Sequence, residues 1–440
     1  MQKHRIQRGI RFVAALGMAL TGLWQAAPAR MAQAAQPAAA PAQDARPGAS
    51  ALCFASLNSS NTTDYSSNDH AAVQQAVDAA TSGSTIKLAG TCKGVTSGTL
   101  VNITSKTLTI IGGYTTTNWA APVSGLQTTL DANGLGRVIS STSSLWLENV
   151  IIKNGLKAND TFAEFGAGGL FAGATFLSNT TFFNNVVSDY GAYVCSEGGG
   201  GAYASGSIDI VNSSFISNAS TYHGGGLWTT GRAALTGTEF YQNSADISTC
   251  GGLGAGAYLN GSESIISNGV VASHTNNTAI VIGAGTWRVQ NTHFFGNTGE
   301  RVLGTGMSGS VSGSILDSIF ENGSCALNLM SGSGVYIEGS TFRNLVCSSS
   351  GSGGSAVNSV IPTTISGTSF ISNHLTVGEG STVLVDWDIS LTINNSTFIS
   401  NVGSGSGRGA AVFPKGPLEM SGSTFIGNSA SGGYGSAVNF

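Results

Sequence analysis

A six-residue phrase returns along this chain and limits what it can fold into. It reads Ser-Ser-Phe-Ile-Ser-Asn at Ser213–Asn218, Ser-Thr-Phe-Ile-Ser-Asn at Ser396–Asn401 and Ser-Thr-Phe-Ile-Gly-Asn at Ser423–Asn428. Each unit is Phe-x-x-Asn, a variable polar segment, a glycine cluster, then a small or aliphatic residue and often an aromatic. The terminal Asn is read at Asn154 (a degenerate first copy), Asn185, Asn218, Asn243, Asn297, Asn322, Asn344, Asn373, Asn401 and Asn428, with His274 in the Asn place of one copy and the copies at Asn322 and Asn344 one residue shorter. Ten steps cover the 274 residues from Asn154 to Asn428, a mean near 27. A period in the twenties built of short alternating segments is that of a solenoid with one coil per repeat. No window keeps a 3.6-residue apolar period, which excludes helical repeats. A propeller blade needs ~40–45 residues. The expected fold is all-β: a right-handed parallel β-helix of about a dozen coils, stacked at ~4.8 Å into a column of roughly 58 Å. In it the Phe side chains stack inside, the Asn amides form a ladder at a bend, and the glycines permit tight corners.

The chain divides by composition. Residues 1–35 carry a basic start (Lys3, Arg5, Arg8, Arg11), an apolar run from Phe12 to Trp24 and small-x-small sites at Ala27–Ala29 and Ala32–Ala34, the order of a signal peptide. Residues 36–50 are an Ala/Pro-rich linker. Residues 51–440 are the β-helix, with an N-terminal cap at 51–92 and the repeats proper at 145–440. In the cap, Ser67-Asn68-Asp69 is placed to start a short capping helix whose apolar face is Val73, Val77 and Ala80. Of 18 basic residues, Lys3, Arg5, Arg8, Arg11 and Arg30 fall before the cleavage site, leaving 13 against 22 acidic ones. That balance argues against nucleic acid or an anionic membrane surface as partner. No second apolar run is long enough to span a membrane as a helix.

The pairing of Phe-x-x-Asn with Gly-Gly-Ala/Leu resembles the repeats of the chlamydial polymorphic membrane proteins. It is clearest at Phe182–Asn185 with Gly200-Gly201-Ala202, at Phe215–Asn218 with Gly225-Gly226-Leu227, and at Gly168-Gly169-Leu170. The likeness covers residues 145–440, and the whole is similar to the broader pectin-lyase-like β-helix superfamily. It implies an exported, surface-associated, adhesive β-helix. In that family a membrane β-barrel follows the repeats; here no set of about ten-residue barrel strands follows them, so an autotransporter route is not expected.

Chemistry is sparse in the sequence. The best carboxylate pair is Asp386 and Asp388, expected on one face of a strand. The histidines lack metal-ligand spacing, and no cofactor is expected. Six cysteines suit an oxidising compartment. Cys53 and Cys92 bracket the cap, Cys325 and Cys347 lie one short coil apart, and Cys195 and Cys250 each precede a glycine cluster, so all three pairs are expected as disulfides. Aromatic residues follow several glycine clusters: Phe171, Tyr203, Trp228, Tyr258, Trp287, Tyr336 and Phe413. Strand alternation puts them together on the outer face. Tyr203, Trp228, Tyr258, Trp287 and Tyr336 are thus a candidate site for an extracellular polysaccharide or a cell-surface protein; the same row could also be a ladder that only stiffens the sheet. The expected role is secreted or cell-surface adhesion. Polysaccharide cleavage on the same fold, by a lyase or glycoside hydrolase, and a structural surface layer are the alternatives.

Overall fold

The computed structural model describes residues 53–158, 166–188, 198–246, 251–275, 277–306, 312–348, 353–377, 380–404, 410–431 and 435–439. The segments read as signal peptide and linker, and Cys195 and Cys250, lie outside the described residues. Apart from an antiparallel N-terminal start, the chain winds as a parallel β-helix. Three long faces run up the column. The first is a sheet of 12 strands that includes Ala202–Ala204 and Leu227–Thr229. The second and third, typified by Ile208–Val211 and Ser214–Ile216, belong to one 27-stranded sheet. They are joined near the start by Thr85–Lys93, which pairs with both faces. Two four-stranded patches of short strands lie after the third face.

Alternation explains which side chains go inside. On the third face Phe182, Phe215, Phe240, Phe294, Phe320, Phe342, Phe370 and Phe398 are fully buried. Successive rings stack in parallel, for example Phe182 on Phe215 at 4.6 Å and 2°, and Phe370 on Phe398 at 4.7 Å and 9°. Val271 takes the place between Phe240 and Phe294. On the first face the inward row is Leu170, Ala202, Leu227, Ala257, Ile280 and Leu303, each at most 1% exposed.

The asparagine ladder is real but shorter than the repeat spelling implies. Asn185 Nδ2 donates to Asn218 Oδ1 (2.9 Å), and Asn218 Nδ2 donates to Asn243 Oδ1 (3.0 Å). The row resumes with Asn373 donating to Asn401 (3.0 Å) and Asn401 to Asn428 (2.9 Å). Each amide also donates to a carbonyl one coil below, as Asn218 does to Phe182 O at 3.0 Å. His274 stands in the row. Its Nδ1 lies 2.9 Å from Asn297 Oδ1 and its Nε2 3.5 Å from Asn243 Nδ2. An imidazole protonated on Nδ1 and bare on Nε2 satisfies both neighbours.

Asn154, Asn322 and Asn344 are not in this ladder, which corrects the sequence reading. They adopt φ of 52°, 52° and 54° and form the left-handed corner just before it. Counting three residues on from stacked Phe320 and Phe342, the ladder positions of those coils hold Gly323 and Leu345. The disulfide Cys325–Cys347 joins these same two coils. A second left-handed corner, between the second and third faces, is occupied by Asn149, Asn179, Asn212, Asn268, Asn291, Asp317 and Asn395. Behind it runs a buried hydroxyl row, in which Thr180 N–H donates to Ser213 Oγ (3.0 Å) and Thr368 N–H to Ser396 Oγ (3.3 Å). Neither was foreseen.

The glycine clusters mark the seam where the chain enters the first face. A Cβ on Gly225 would lie 2.2 Å from Ser244 O and 2.4 Å from Ala255 O, so only glycine fits there. Before the first coils, the helix Ala71–Ala79 buries Ala72, Val73, Ala76 and Val77 against the strands Cys53–Leu57 and Thr99–Ile103. Its first amides are met from upstream: Ala71 N–H donates to Asp69 Oδ1 (2.8 Å) and Ala72 N–H to Ser67 Oγ (3.0 Å). The disulfide Cys53–Cys92 closes this part of the chain.

Candidate functional site

The aromatics after the glycine clusters separate into three locations. Phe171, Tyr203, Trp228 and Tyr258 are vertical neighbours on the outer side of the first face. Above them the same row continues as Val281, Gly304, Asn328, Asn358, Leu384 and Phe413. The aromatic part packs as one cluster. Arg137 lies over Phe171 at 5.1 Å, Phe171 over Tyr203 at 5.5 Å, and Tyr203 meets Trp228 edge-on at 4.8 Å. His223 is sandwiched between Tyr222 (3.6 Å) and Tyr258 (4.2 Å), and its Nδ1 accepts the Leu253 amide at 3.0 Å. Burial pushes the His223 imidazole down to about 4 and the phenols of Tyr203 and Tyr258 up.

This row points outward yet is covered. Tyr203 is 4% and Trp228 7% exposed. The backbone at Gly198 crosses the indole so closely that a Cβ there would sit 2.7 Å from Trp228 Cε3. The stack is therefore a satellite core beneath the chain that leads into each glycine cluster. It offers no open platform for a sugar ring at Tyr203 or Trp228.

Trp287 and Tyr336 are not in this row. Both belong to the second face, in Thr286–Gln290 and Gly334–Glu338. Trp287 points inward, 4% exposed, and its ring fills the space where a Gly313 side chain would be: a Cβ there would come within 2.1 Å of Cε2. Ser264 on its other side is also small. Tyr336 points out from the column, 38% exposed. Glycine followed by an aromatic thus occurs at two different places in the coil, and the spelling does not separate them.

The outer side of the third face carries the open row. The residue after each ladder Phe projects outward, giving Phe183, Ile216, Tyr241, Ala272, Phe295, Glu321, Arg343, Ile371, Ile399 and Ile426 as successive neighbours. Most are half-exposed, and Ile426 is 54% exposed. Beside them runs a second row, Thr181 and Ser214, then Glu239, Val270, His293 and Ile319, then Thr341, Ser369, Thr397 and Thr424, so hydroxyls occupy its two ends and not its middle. A charged cluster interrupts the apolar row. His293 Nε2 is 2.7 Å from Glu321 Oε1, and Arg343 Nε donates to Glu321 Oε2. Burial raises the Glu321 carboxyl, but the hydrogen bonds from Arg343 and His293 outweigh it and hold it below its ordinary value.

Several carboxylates elsewhere are paired with cations from adjacent coils. Arg232 bridges Asp209 (2.7 Å) and Glu263 (2.9 Å). Asp386 pairs with Lys415 at 3.1 Å, and the Lys415 ammonium also lies over Trp387 at 5.5 Å. The strand Val383–Val385 ends before Asp386, and Asp388 has φ 59° in the following turn, so the two acids do not share a strand face. Among the described residues no group of three or more His, Cys, Asp or Glu side chains is arranged to hold a metal, and no helix is long and apolar enough to cross a membrane.

No family model, no curated protein and no solved structure matches the chain.

Proposed function

We propose that this protein is an exported recognition scaffold that binds a repetitive extracellular glycan along the outer side of its third face. The carrying observation is the vertical row from Phe183 to Ile426, half-exposed apolar side chains on most coils, interrupted by buried Ala272 and by the charged pair Glu321 and Arg343, with hydroxyls beside it on the first and last coils. A spacing of ~4.8 Å and an apolar row flanked by hydroxyls at both ends suit a repetitive polymer with apolar and hydroxyl faces of its own. Large contiguous apolar surface on a soluble protein marks interaction sites. The disulfides Cys53–Cys92 and Cys325–Cys347 suit an oxidising compartment. The likeness of the repeats to chlamydial polymorphic membrane proteins supports an adhesive role.

The test is retention on an array of extracellular polysaccharides, comparing wild type with Tyr241→Ser/Phe295→Ser. Both side chains project outward, so the phenylalanine stack stays whole. Retention should fall at least tenfold with unchanged circular dichroism. Equal retention, or no polysaccharide bound by the wild type, removes the reading. Assaying the same incubations for new reducing ends or unsaturated products tests the alternative of polysaccharide cleavage.

A further inference from the structure

A buried cation without a counter-ion lies on a different part of the column. Arg301 precedes the first-face strand Leu303–Thr305 and is 6% exposed. A guanidinium carries five N–H donors. The hydrogen bond recorded for this one runs from Nη1 to Gly354 O at 3.4 Å, the edge of hydrogen-bonding range. No carboxylate lies within ion-pair distance of it among the described residues. Burial lowers its pKa, and nearby Glu300, itself exposed, works in the opposite direction. Buried charges are normally paired.

Arg301 opens onto a groove of about 640 Å³ whose wall also includes Ser324, Asn322, Asn344 and Val346. The Ser324 hydroxyl is shielded from solvent and has no hydrogen-bond partner. The Cys325–Cys347 disulfide holds two of the coils that form this wall. Arg301, whose guanidinium has one long hydrogen bond and no counter-ion, and Ser324, whose hydroxyl has no partner, therefore line one concave site, on a wall that is covalently braced. Its donors match the two oxygens of a carboxylate, which a guanidinium receives side by side. A single negative charge balances the single cation; a dianion would leave a surplus beside Glu300.

We propose that Arg301 and Ser324 form a binding site for one carboxylate group of a small acidic ligand. The site stands independently of the outer row on the third face.

The experiment is calorimetric titration of the full chain at low ionic strength with acetate, glucuronate and acetyl-aspartyl amide, with glucose and inorganic phosphate as comparators. All three carboxylates should bind, glucose should not, and phosphate should bind more weakly than acetate. The tighter of glucuronate and acetyl-aspartyl amide then shows whether a sugar acid or an acidic side chain is the natural source. Arg301→Gln should weaken every carboxylate at least tenfold and Ser324→Ala about threefold. Without ligand, Arg301→Gln should unfold at the same or a higher temperature than wild type, because it removes an unpaired buried charge. Carboxylates binding no better than glucose, phosphate binding more tightly than acetate, or wild-type affinity in Arg301→Gln would overturn the assignment. So would a destabilised Arg301→Gln that Arg301→Lys repairs, since that is the signature of a purely structural arginine.

Discussion

Asn218 and Asn322 end repeats spelled almost alike, yet their replacement by alanine should have very different consequences. Asn218 makes four side-chain hydrogen bonds in the interior. Its Nδ2 donates to Phe182 O and to Asn243 Oδ1, both at 3.0 Å, and its Oδ1 receives the Asn185 amide at 3.0 Å and Asn185 Nδ2 at 2.9 Å. Alanine removes all four and strands groups that water cannot reach. Asn185 Nδ2 keeps Ile152 O and Asn243 Oδ1 keeps the residue-218 amide, but the buried Asn185 backbone N–H loses its acceptor. Net losses of about 1 kcal/mol per hydrogen bond, with a larger penalty where a buried group is left unpaired, give roughly 4–5 kcal/mol for Asn218→Ala. Asn322 is exposed, and its side chain only receives Asn344 Nδ2 at 3.2 Å. Its φ of 52° is the remaining cost of Asn322→Ala, about 1 kcal/mol, and Asn322→Gly should be close to neutral. A stack of coils need not unfold in one step. The assay is therefore native-state hydrogen exchange, read coil by coil. Asn218→Ala should lower protection in the coils containing Phe182, Phe215 and Phe240 and leave those around Phe398 nearly unchanged. Equal effects at Asn218 and Asn322, or a loss below about 1 kcal/mol at Asn218, would refute the ladder argument.

Two further outcomes follow from interior geometry. Gly313→Ala should destabilise by about 1–3 kcal/mol, because its methyl meets the Trp287 ring; Trp287→Leu in the same chain should recover part of the loss in thermal midpoint. Burial holds the His274 imidazole down to about 4, against an ordinary 6.5. The unfolded chain then takes up the proton first, so this contribution is complete above pH 6.5 and is lost as pH falls toward 4. It amounts to up to about 3 kcal/mol, and His274→Asn should flatten the pH dependence of the unfolding midpoint across that window, leaving the part due to His223.

Much of this architecture is legible in the spelling because the inward row is chemically uniform. Phe recurs at the position where a stacked ring is the best filling, and the phrase around it sets strand, bend and period. The disulfides of Cys53 with Cys92 and of Cys325 with Cys347 also follow from spacing. The failures have one physical origin. Neighbours in this fold are vertical, and the number of residues between them varies from 33 (Asn185 to Asn218) to 22 (Asn322 to Asn344). Linear counting therefore placed Trp287 and Tyr336 with Trp228, although the chain reaches them on another face. A usable signal existed: Gly313 and Ser264 are the small residues that an inward indole needs above and below it. Likewise, Asn is favoured both by a buried amide ladder and by a left-handed corner; the spacing tells them apart, since Asn322 follows Phe320 by two residues and Asn185 follows Phe182 by three.

The unequal coil lengths have a practical consequence. Each turn is located by the turn beneath it, and the coils differ in length mainly in the number of residues between the short strands after the third face and the next first-face strand, 13 between Ser188 and Ala202 but 6 between Ser220 and Leu227. A foreign peptide spliced between Ser188 and Gly198, or between Asp246 and Gly251, would lengthen a segment whose length the column already tolerates. The stacked coils would then act as a graded support: the distance between two such insertions is set by how many turns separate them.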